Sequence, residues 1–114
     1  MDDLKSLIDS AWLDRALLMN NEVQQAVFAV VEMLDKGQLR VASPVGDGWQ
    51  VNDWVKKAVI LYFPLRQMET LEAGPLEFHD KIPLKHNYKE LGIRVVPHAI
   101  ARYGSYISPG VIMM

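Results

Sequence analysis

The 114-residue sequence contains no cysteine. This absence excludes disulfides, zinc–thiolate sites, iron–sulfur clusters and thiol catalysis. An excess of charge of one sign is also lacking, because 12 lysines and arginines stand against 14 aspartates and glutamates, for a formal net charge of −2. Without a basic excess, nothing indicates binding to nucleic acid or to an anionic membrane surface.

Long hydrophobic runs are lacking as well. The longest uncharged apolar run, Ala58 to Leu65, has eight residues and contains Pro64, whereas a membrane span needs about 20. The start, Met1 to Lys5, is acidic and lacks the basic-then-apolar layout of a signal peptide. We therefore expect a cytoplasmic protein with no membrane partner. Half of the residues are hydrophobic, which suffices for one core but not for two ordinary domains.

The first half of the sequence predicts helices. Three segments repeat apolar residues at the 3.6-residue helical period, namely residues 4–12, 23–34 and 51–63. Asn21 followed by Gln24 predicts a capping box at the start of the second helix, and Gly37 predicts its end. Pro64 ends or kinks the third helix. The apolar stripes predict a core made of Val23, Val27, Val30, Leu34, Trp54, Ala58, Val59 and Phe63.

Weaker signals predict extended structure after the second helix. Leu39 to Ala42 and Trp49 to Val51 could pair across the turn signal Gly46-Asp47-Gly48, with Pro44 at a strand end or edge. Residues 67–75 are polar and contain Gly-Pro, which predicts a loop. Residues 76–84 suggest short extended pieces.

The last 22 residues follow a six-residue period. Glycines occupy positions 92, 104 and 110. Apolar residues recur at the same interval, in the sets Val95, Ala101, Ile107, Met113 and Ile100, Tyr106, Ile112. This period is typical of a hexapeptide parallel β-helix, in which one apolar side chain per hexad points inward and glycine permits the turn. An ordinary strand–turn–strand remains the alternative.

Several stretches in order carry a family resemblance. They are Leu34–Ala42, Trp49–Phe63 with its paired lysines, Asp80–Lys85, Gly92–Pro97 and Arg102–Ile107. In these motifs the sequence resembles the bacterial tetrahydrodipicolinate N-succinyltransferases of the lysine pathway. The resemblance covers about residues 34–114, and the helical start agrees with it in pattern.

The resemblance implies an α+β fold: a helical N-terminal domain with a small β-hairpin over residues 1–92, then residues 93–114 as the first coil of a left-handed parallel β-helix. Family members are well over twice this length and form trimers, with active sites between neighbouring β-helices. The family's acid/base residues and acyl-CoA groove lie beyond Met114. We therefore expect no catalytic residue among these 114 residues, and no activity from them alone.

For the intact protein, the resemblance implies transfer of succinyl from succinyl-CoA to the amino group of tetrahydrodipicolinate by a homotrimer. Two alternatives remain open. The chain could be a standalone, non-catalytic module that docks on a β-helix partner, because a single coil leaves apolar residues uncovered. It could also belong to a related enzyme that transfers acetyl.

By resemblance, Arg94 matches the family's substrate-binding arginine, which contacts the dicarboxylate acceptor. A planar guanidinium can hold a carboxylate through two parallel hydrogen bonds. From the residues alone, a solvated arginine at a strand start is the alternative.

Other polar residues are weaker candidates. Lys56 and Lys57 could bind phosphate, but we favour one solvent-facing lysine and one whose stem lies along its neighbours. Arg102 could contact another subunit or coil, although a solvated turn arginine is favoured. His79, His86 and His98 lack the spacing of a metal site, so we expect no metal.

Overall fold

The computed structural model describes residues 1–114 and has an α+β fold. Its helices are α1 (Asp2–Leu13), α2 (Asn21–Asp35), α3 (Asp53–Leu65) and the short α4 (Tyr88–Leu91), with a 3₁₀ helix at Arg15–Met19. Its strands are β1 (Ala42–Val45), β2 (Gly48–Val51), β3 (Glu69–Ala73), β4 (Leu76–Asp80), β5 (Arg94–Val95) and β6 (Ile112–Met113). None of the helices combines the length and apolar character that crossing a membrane requires.

Helices α1, α2 and α3 pack against one another and form the core. The expected residues Val23, Val27, Val30 and Ala58 are buried, which confirms those positions. Leu34, Trp54 and Val59 are only partly buried. The remaining core side chains include Ile8, Ala11, Val31, Val55, Leu61 and Tyr62.

The prediction that Phe63 belongs to the core is wrong. Its side chain keeps 36% exposure, whereas Leu61 is completely buried. Helix α3 directs Val55, Ala58 and Leu61, spaced three residues apart, toward α1 and α2. The apolar stripe of α3 is broad, so the sequence alone does not identify which side of it faces the core.

The caps of α2 explain where this helix begins and ends. Its N-cap is Asn20 rather than the expected Asn21, because the Asn20 side chain accepts hydrogen bonds from the N–H groups of Glu22 and Val23. At the other end Gly37 has a φ of +75°, and the N–H of Gln38 donates to the carbonyl of Met33. This glycine-terminated end is the one expected.

Two antiparallel hairpins flank α3. In the first, β1 begins at Ala42 rather than Leu39 and pairs with β2 across the expected turn. Pro44 lies opposite Trp49 in this two-stranded sheet, where both strands are edges and a missing N–H is tolerated.

The prediction of a loop at residues 67–75 is wrong, because the second hairpin begins there. Strand β3 occupies most of that segment and pairs with β4, with Leu71 opposite Phe78. Leu71, Ala73 and Phe78 are half-buried, while Glu72 and Glu77 are exposed directly opposite each other. Like charges at such a pair disfavour strand formation, so the polar composition concealed the strand.

The C-terminal segment turns back on itself and pairs in parallel. Arg94 lies opposite Ile112 and Val95 opposite Met113, a separation of 18 residues. The N–H of Arg94 donates to the carbonyl of Val111, and that of Val96 donates to the carbonyl of Met113. The six-residue spacing of the sequence therefore corresponds to a parallel pairing after three hexads.

Positive φ angles recur every six residues along this segment. Gly92, Gly104 and Gly110 have φ values of +73°, +102° and +90°. His98 completes the series with a φ of +78°. Non-glycine residues in this conformation are uncommon, and histidine is among those that adopt it more often. The turn at His98 therefore cannot be predicted from the spacing of the glycines.

Candidate functional site

Arg94 is placed where a ligand could reach it. It begins β5, is exposed, and lies beside Ile112, which is also exposed. The guanidinium forms no ion pair and no hydrogen bond within the chain. All of its donors are thus available to a planar acceptor such as a carboxylate.

The position of Arg94 depends on how the C-terminal segment is fixed to the helices. The central contact is the carboxylate of Asp35 at the end of α2, the only charged residue in the buried class. Its Oδ1 accepts a hydrogen bond of 2.7 Å from Lys85 Nζ and one of 2.9 Å from the N–H of Gly104. One oxygen therefore joins three segments that are distant in the sequence.

The pKa of Asp35 reflects this environment. Burial acts to raise the pKa, because it disfavours the charged carboxylate. The hydrogen bonds from Lys85 and Gly104 and the charge of Lys85 outweigh burial, so the pKa lies below its usual value. The carboxylate is thus ionised at neutral pH, as an ion pair requires.

Two tyrosines of the C-terminal segment make further contacts, one with α2 and one with the turn that follows it. The hydroxyl of Tyr103 donates a 2.8 Å hydrogen bond to Glu32 Oε1. Burial and this acceptor raise the pKa of Tyr103 far above its usual value, so the phenol stays protonated. The ring of Tyr106 lies on Gly37, where an added Cβ would be only 2.7 Å from it. A glycine is therefore required at this close approach as well as for its positive φ.

The structure also places the weaker candidates. Arg102 is half-exposed and forms a 3.2 Å ion pair with Asp80. Lys56 is exposed, whereas the half-buried Lys57 lies 3.8 Å from Asp9 and over the Trp12 ring at 5.8 Å. The arrangement favoured for the two lysines is thus the one observed.

The histidines lie apart. Nδ1 of His79 is 3.1 Å from the hydroxyl of Thr70 on the neighbouring strand. His86 and His98 are exposed and hydrogen-bond to no other side chain. No carboxylate orients His98 as a general base would require.

Sequence reasoning missed Asp35 and Lys85. Asp35 follows an apolar helix and precedes Lys36, a context typical of a solvated helix end. Lys85 was included only within a family-like stretch. Identifying them would require knowing that positions 35 and 85, which are 50 residues apart, are in contact. A single sequence does not contain this information.

The fold and the free arginine define a class of protein. It is an α+β domain whose C-terminal segment turns back to form a parallel strand pair, and one strand of that pair carries the unpaired guanidinium of Arg94. Comparison with known proteins makes this specific. Residues 3–65 match the family described as tetrahydrodipicolinate N-succinyltransferase N-terminal. The chain belongs to this family.

Comparison with individual relatives agrees with this match. The 2,3,4,5-tetrahydropyridine-2,6-dicarboxylate N-succinyltransferase of Paracidovorax citrulli is 47% identical over 97% of the chain, and that of Variovorax paradoxus is 45% identical over the same share. The protein of the same name from Coxiella burnetii is 38% identical over the whole chain. The chain spans only 44–45% of the length of these relatives.

Proposed function

We propose that this chain is the N-terminal part of an acyltransferase that moves succinyl from succinyl-CoA to the amino group of tetrahydrodipicolinate, in the diaminopimelate route to lysine. The observation that carries the proposal is its 38–47% identity, over nearly all of its residues, to relatives named for this activity.

Arg94 is the residue of this chain to which we assign a direct role. Its free guanidinium would bind one carboxylate of the acceptor through two parallel hydrogen bonds. That contact orients the acceptor in its ring-opened form, in which water has added to the cyclic imine to give a ketone and a primary amine. The neutral amine nitrogen can then attack the thioester carbonyl, and the tetrahedral adduct expels CoA as the thiol. The attack also needs a base and donors to the developing oxyanion, for which residues 1–114 offer no arrangement. We therefore assign no catalytic residue to this chain and expect none of the activity from it alone.

Residues 93–114 are proposed to begin a left-handed β-helix, after a helical domain of residues 1–92. The parallel pairing of Arg94 with Ile112 after 18 residues supports this reading. Positive φ angles at positions 92, 98, 104 and 110 support it too, because they recur once per hexad. A cytoplasmic homotrimer is the assembly that accompanies this proposal.

One observation favours a second candidate, a non-catalytic module that docks on a separate β-helix partner. Apolar side chains remain uncovered beside the parallel pairing: Ile112 is 54% exposed and Met114 is 95% exposed. Either a continuing coil or a partner could cover such residues.

The test is a chimera in which residues 1–114 replace the matching portion of the Paracidovorax citrulli relative. Thiol release is measured with succinyl-CoA and tetrahydrodipicolinate. We expect turnover that depends on both substrates. A folded, trimeric chimera without turnover would contradict the proposal.

Two controls complete the experiment. The 114-residue chain alone should release no thiol, and robust turnover by it would contradict its assignment as catalytically incomplete. Mixing it with the separately expressed remainder of the relative tests the second candidate. Docking that restores turnover would support a module, whereas recovery only in the covalent chimera would support one continuous chain.

A further inference from the structure

A cavity lies between the end of α2 and the segment that leads to α4. Its volume is about 510 Å³, which is within the range of small-molecule sites. Arg94 does not line it. The cavity is therefore separate from the arginine of the proposed acceptor site.

The charge of this cavity contrasts with that of the chain. Lys36, Arg66 and Lys85 line it, and the only carboxylate among the lining residues is Asp35. The Asp35 carboxylate already accepts hydrogen bonds from Lys85 and from the N–H of Gly104. Although the whole chain has a net charge of −2, the cavity thus offers cationic groups in excess.

Arg66 is held in place but keeps most of its donors. Its Nε donates to the carbonyl of Lys81 over 3.2 Å, and its guanidinium lies 6.0 Å from the centre of the Tyr62 ring. The two terminal nitrogens have no acceptor within the chain. An anchored guanidinium with a free fork loses little side-chain entropy when it binds a carboxylate.

Other unpaired polar groups surround the same space. Lys36 is 3.7 Å from the second oxygen of Asp35 and its side chain is 58% exposed, so its charge is only weakly engaged. The side chains of His86 and Asn87 have no hydrogen-bond partner in the chain. These groups can add donors to an anion that Arg66 binds.

The remaining walls are apolar or aromatic. Tyr62, Tyr103 and Tyr106 line the cavity together with Leu84, Leu91 and Ile107. Tyrosine rings pack well against flat apolar bodies. The cavity therefore combines an anion-binding group with surface that a bare inorganic ion would leave uncovered.

We propose that this cavity binds a small organic carboxylate with a flat apolar body, its carboxylate on the Arg66 fork and its body against the tyrosines. The proposal does not depend on the acyltransferase function, because Arg94 and succinyl transfer are not involved in it.

The probe is 2-naphthoate, titrated into the ¹⁵N-labelled 114-residue chain while amide and arginine Nε–H resonances are recorded. We expect saturable shifts confined to residues around the cavity, including the Arg66 side chain. Loss of a charge-assisted contact typically weakens binding about tenfold or more, so neutral 2-naphthol should bind at least that much more weakly. Inorganic phosphate should also bind more weakly, because it has no apolar body. Equal binding of either compound would overturn the proposal.

Variants separate the cavity from non-specific attraction. Arg66→Gln should weaken 2-naphthoate binding about tenfold, and Arg66→Lys should recover little because the fork is lost. Lys36→Gln, at an exposed site that leaves folding intact, should weaken it by a smaller factor. Lys56→Gln, an exposed lysine outside the cavity, should leave it unchanged. Should Lys56→Gln reduce binding as much as Lys36→Gln, or should the shifts map elsewhere, the proposal would be wrong.

Discussion

The ammonium of Lys85 donates a 2.7 Å hydrogen bond to the carboxylate of Asp35, although the two residues are 50 positions apart. Both side chains are less than one-tenth exposed. Since Gly104 donates to the same oxygen, the pair fixes the C-terminal segment to the end of α2. Together with the contacts of Tyr103 with Glu32 and of Tyr106 with Gly37, this pair holds Arg94 and the parallel pairing in place relative to the helices.

The first prediction concerns the loss of this pair. Lys85→Met removes the ammonium and leaves Asp35 buried with one donor, which should reduce the free energy of unfolding by about 3 kcal/mol. Urea unfolding of the 114-residue chain measures the change. Lys89→Met removes an exposed lysine and should cost less than about 0.5 kcal/mol. Equal losses for the two variants would show that the Asp35–Lys85 pair contributes nothing specific.

The second prediction concerns pH. Because the pKa of Asp35 is lower in the folded chain than its unfolded value of 3.8, the stabilisation it provides is fully present above that value. It is lost as the pH falls from about 4 through the folded pKa. The difference between Asp35→Asn and the unmutated chain should therefore be largest at pH 7 and should shrink as the pH is lowered below about 4. A stability difference that does not change across this range would contradict the assignment.

The pair of Asp35 and Lys85 also shows what could not be predicted from the sequence. The end of α2 was predictable, because Gly37 is a local signal for a positive φ. The burial of Asp35 beside it was not, since it depends on Lys85 and Gly104 arriving from distant positions. The six-residue period predicted the parallel C-terminal segment, but the turn at His98 escaped notice because no glycine marks it.

Of the two hairpins, only the first was predictable from local sequence signals. The turn signal Gly46-Asp47-Gly48 indicated it. The strand β3 was missed because Glu72 and Glu77 lie directly opposite each other, a pairing that residue preferences disfavour. Pairing of Leu71 with Phe78 on the other face compensates. Among the residues discussed as candidates for a site, only Arg94 was assigned a binding role from the sequence, and only through resemblance; that role stays a prediction.

The third prediction concerns the close approach of Tyr106 to Gly37. Gly37→Ala places a Cβ 2.7 Å from the Tyr106 ring and also requires a positive φ of an alanine. The matched control is Gly46→Ala, which has a positive φ and open space around it. Gly46→Ala should cost about 1 kcal/mol of backbone strain, and Gly37→Ala should cost roughly 1–3 kcal/mol more because of the steric contact.

A second substitution distinguishes contact from strain. When Tyr106→Ala is combined with Gly37→Ala, the clash disappears and only the cost of the positive φ remains. In the Tyr106→Ala background, the loss caused by Gly37→Ala should then fall to that caused by Gly46→Ala. Urea unfolding of five chains measures this: the unsubstituted chain, the three single variants and the double variant. If the extra loss persists without the ring, the Tyr106 contact is not its cause.

The fourth prediction tests which side of α3 faces the core. Leu61 is completely buried, so Leu61→Ala should cost about 3 kcal/mol through lost burial and the cavity left behind. Phe63→Ala removes a larger side chain that is 36% exposed, and should cost less than Leu61→Ala despite its size. The reverse order in thermal and urea unfolding would restore Phe63 to the core.

The last prediction concerns Arg94, and it is measured in the active chimera. Arg94→Lys keeps the positive charge but cannot form two parallel hydrogen bonds to a carboxylate. The KM for tetrahydrodipicolinate should therefore rise about tenfold, the effect of losing one charge-assisted contact, while the KM for succinyl-CoA stays the same. Arg102→Lys is the control, because Arg102 already pairs with Asp80. This substitution should leave both KM values unaltered. An unchanged acceptor KM and kcat in Arg94→Lys would remove Arg94 from the acceptor site, and equal effects of the two substitutions would indicate a general electrostatic contribution instead of a specific contact.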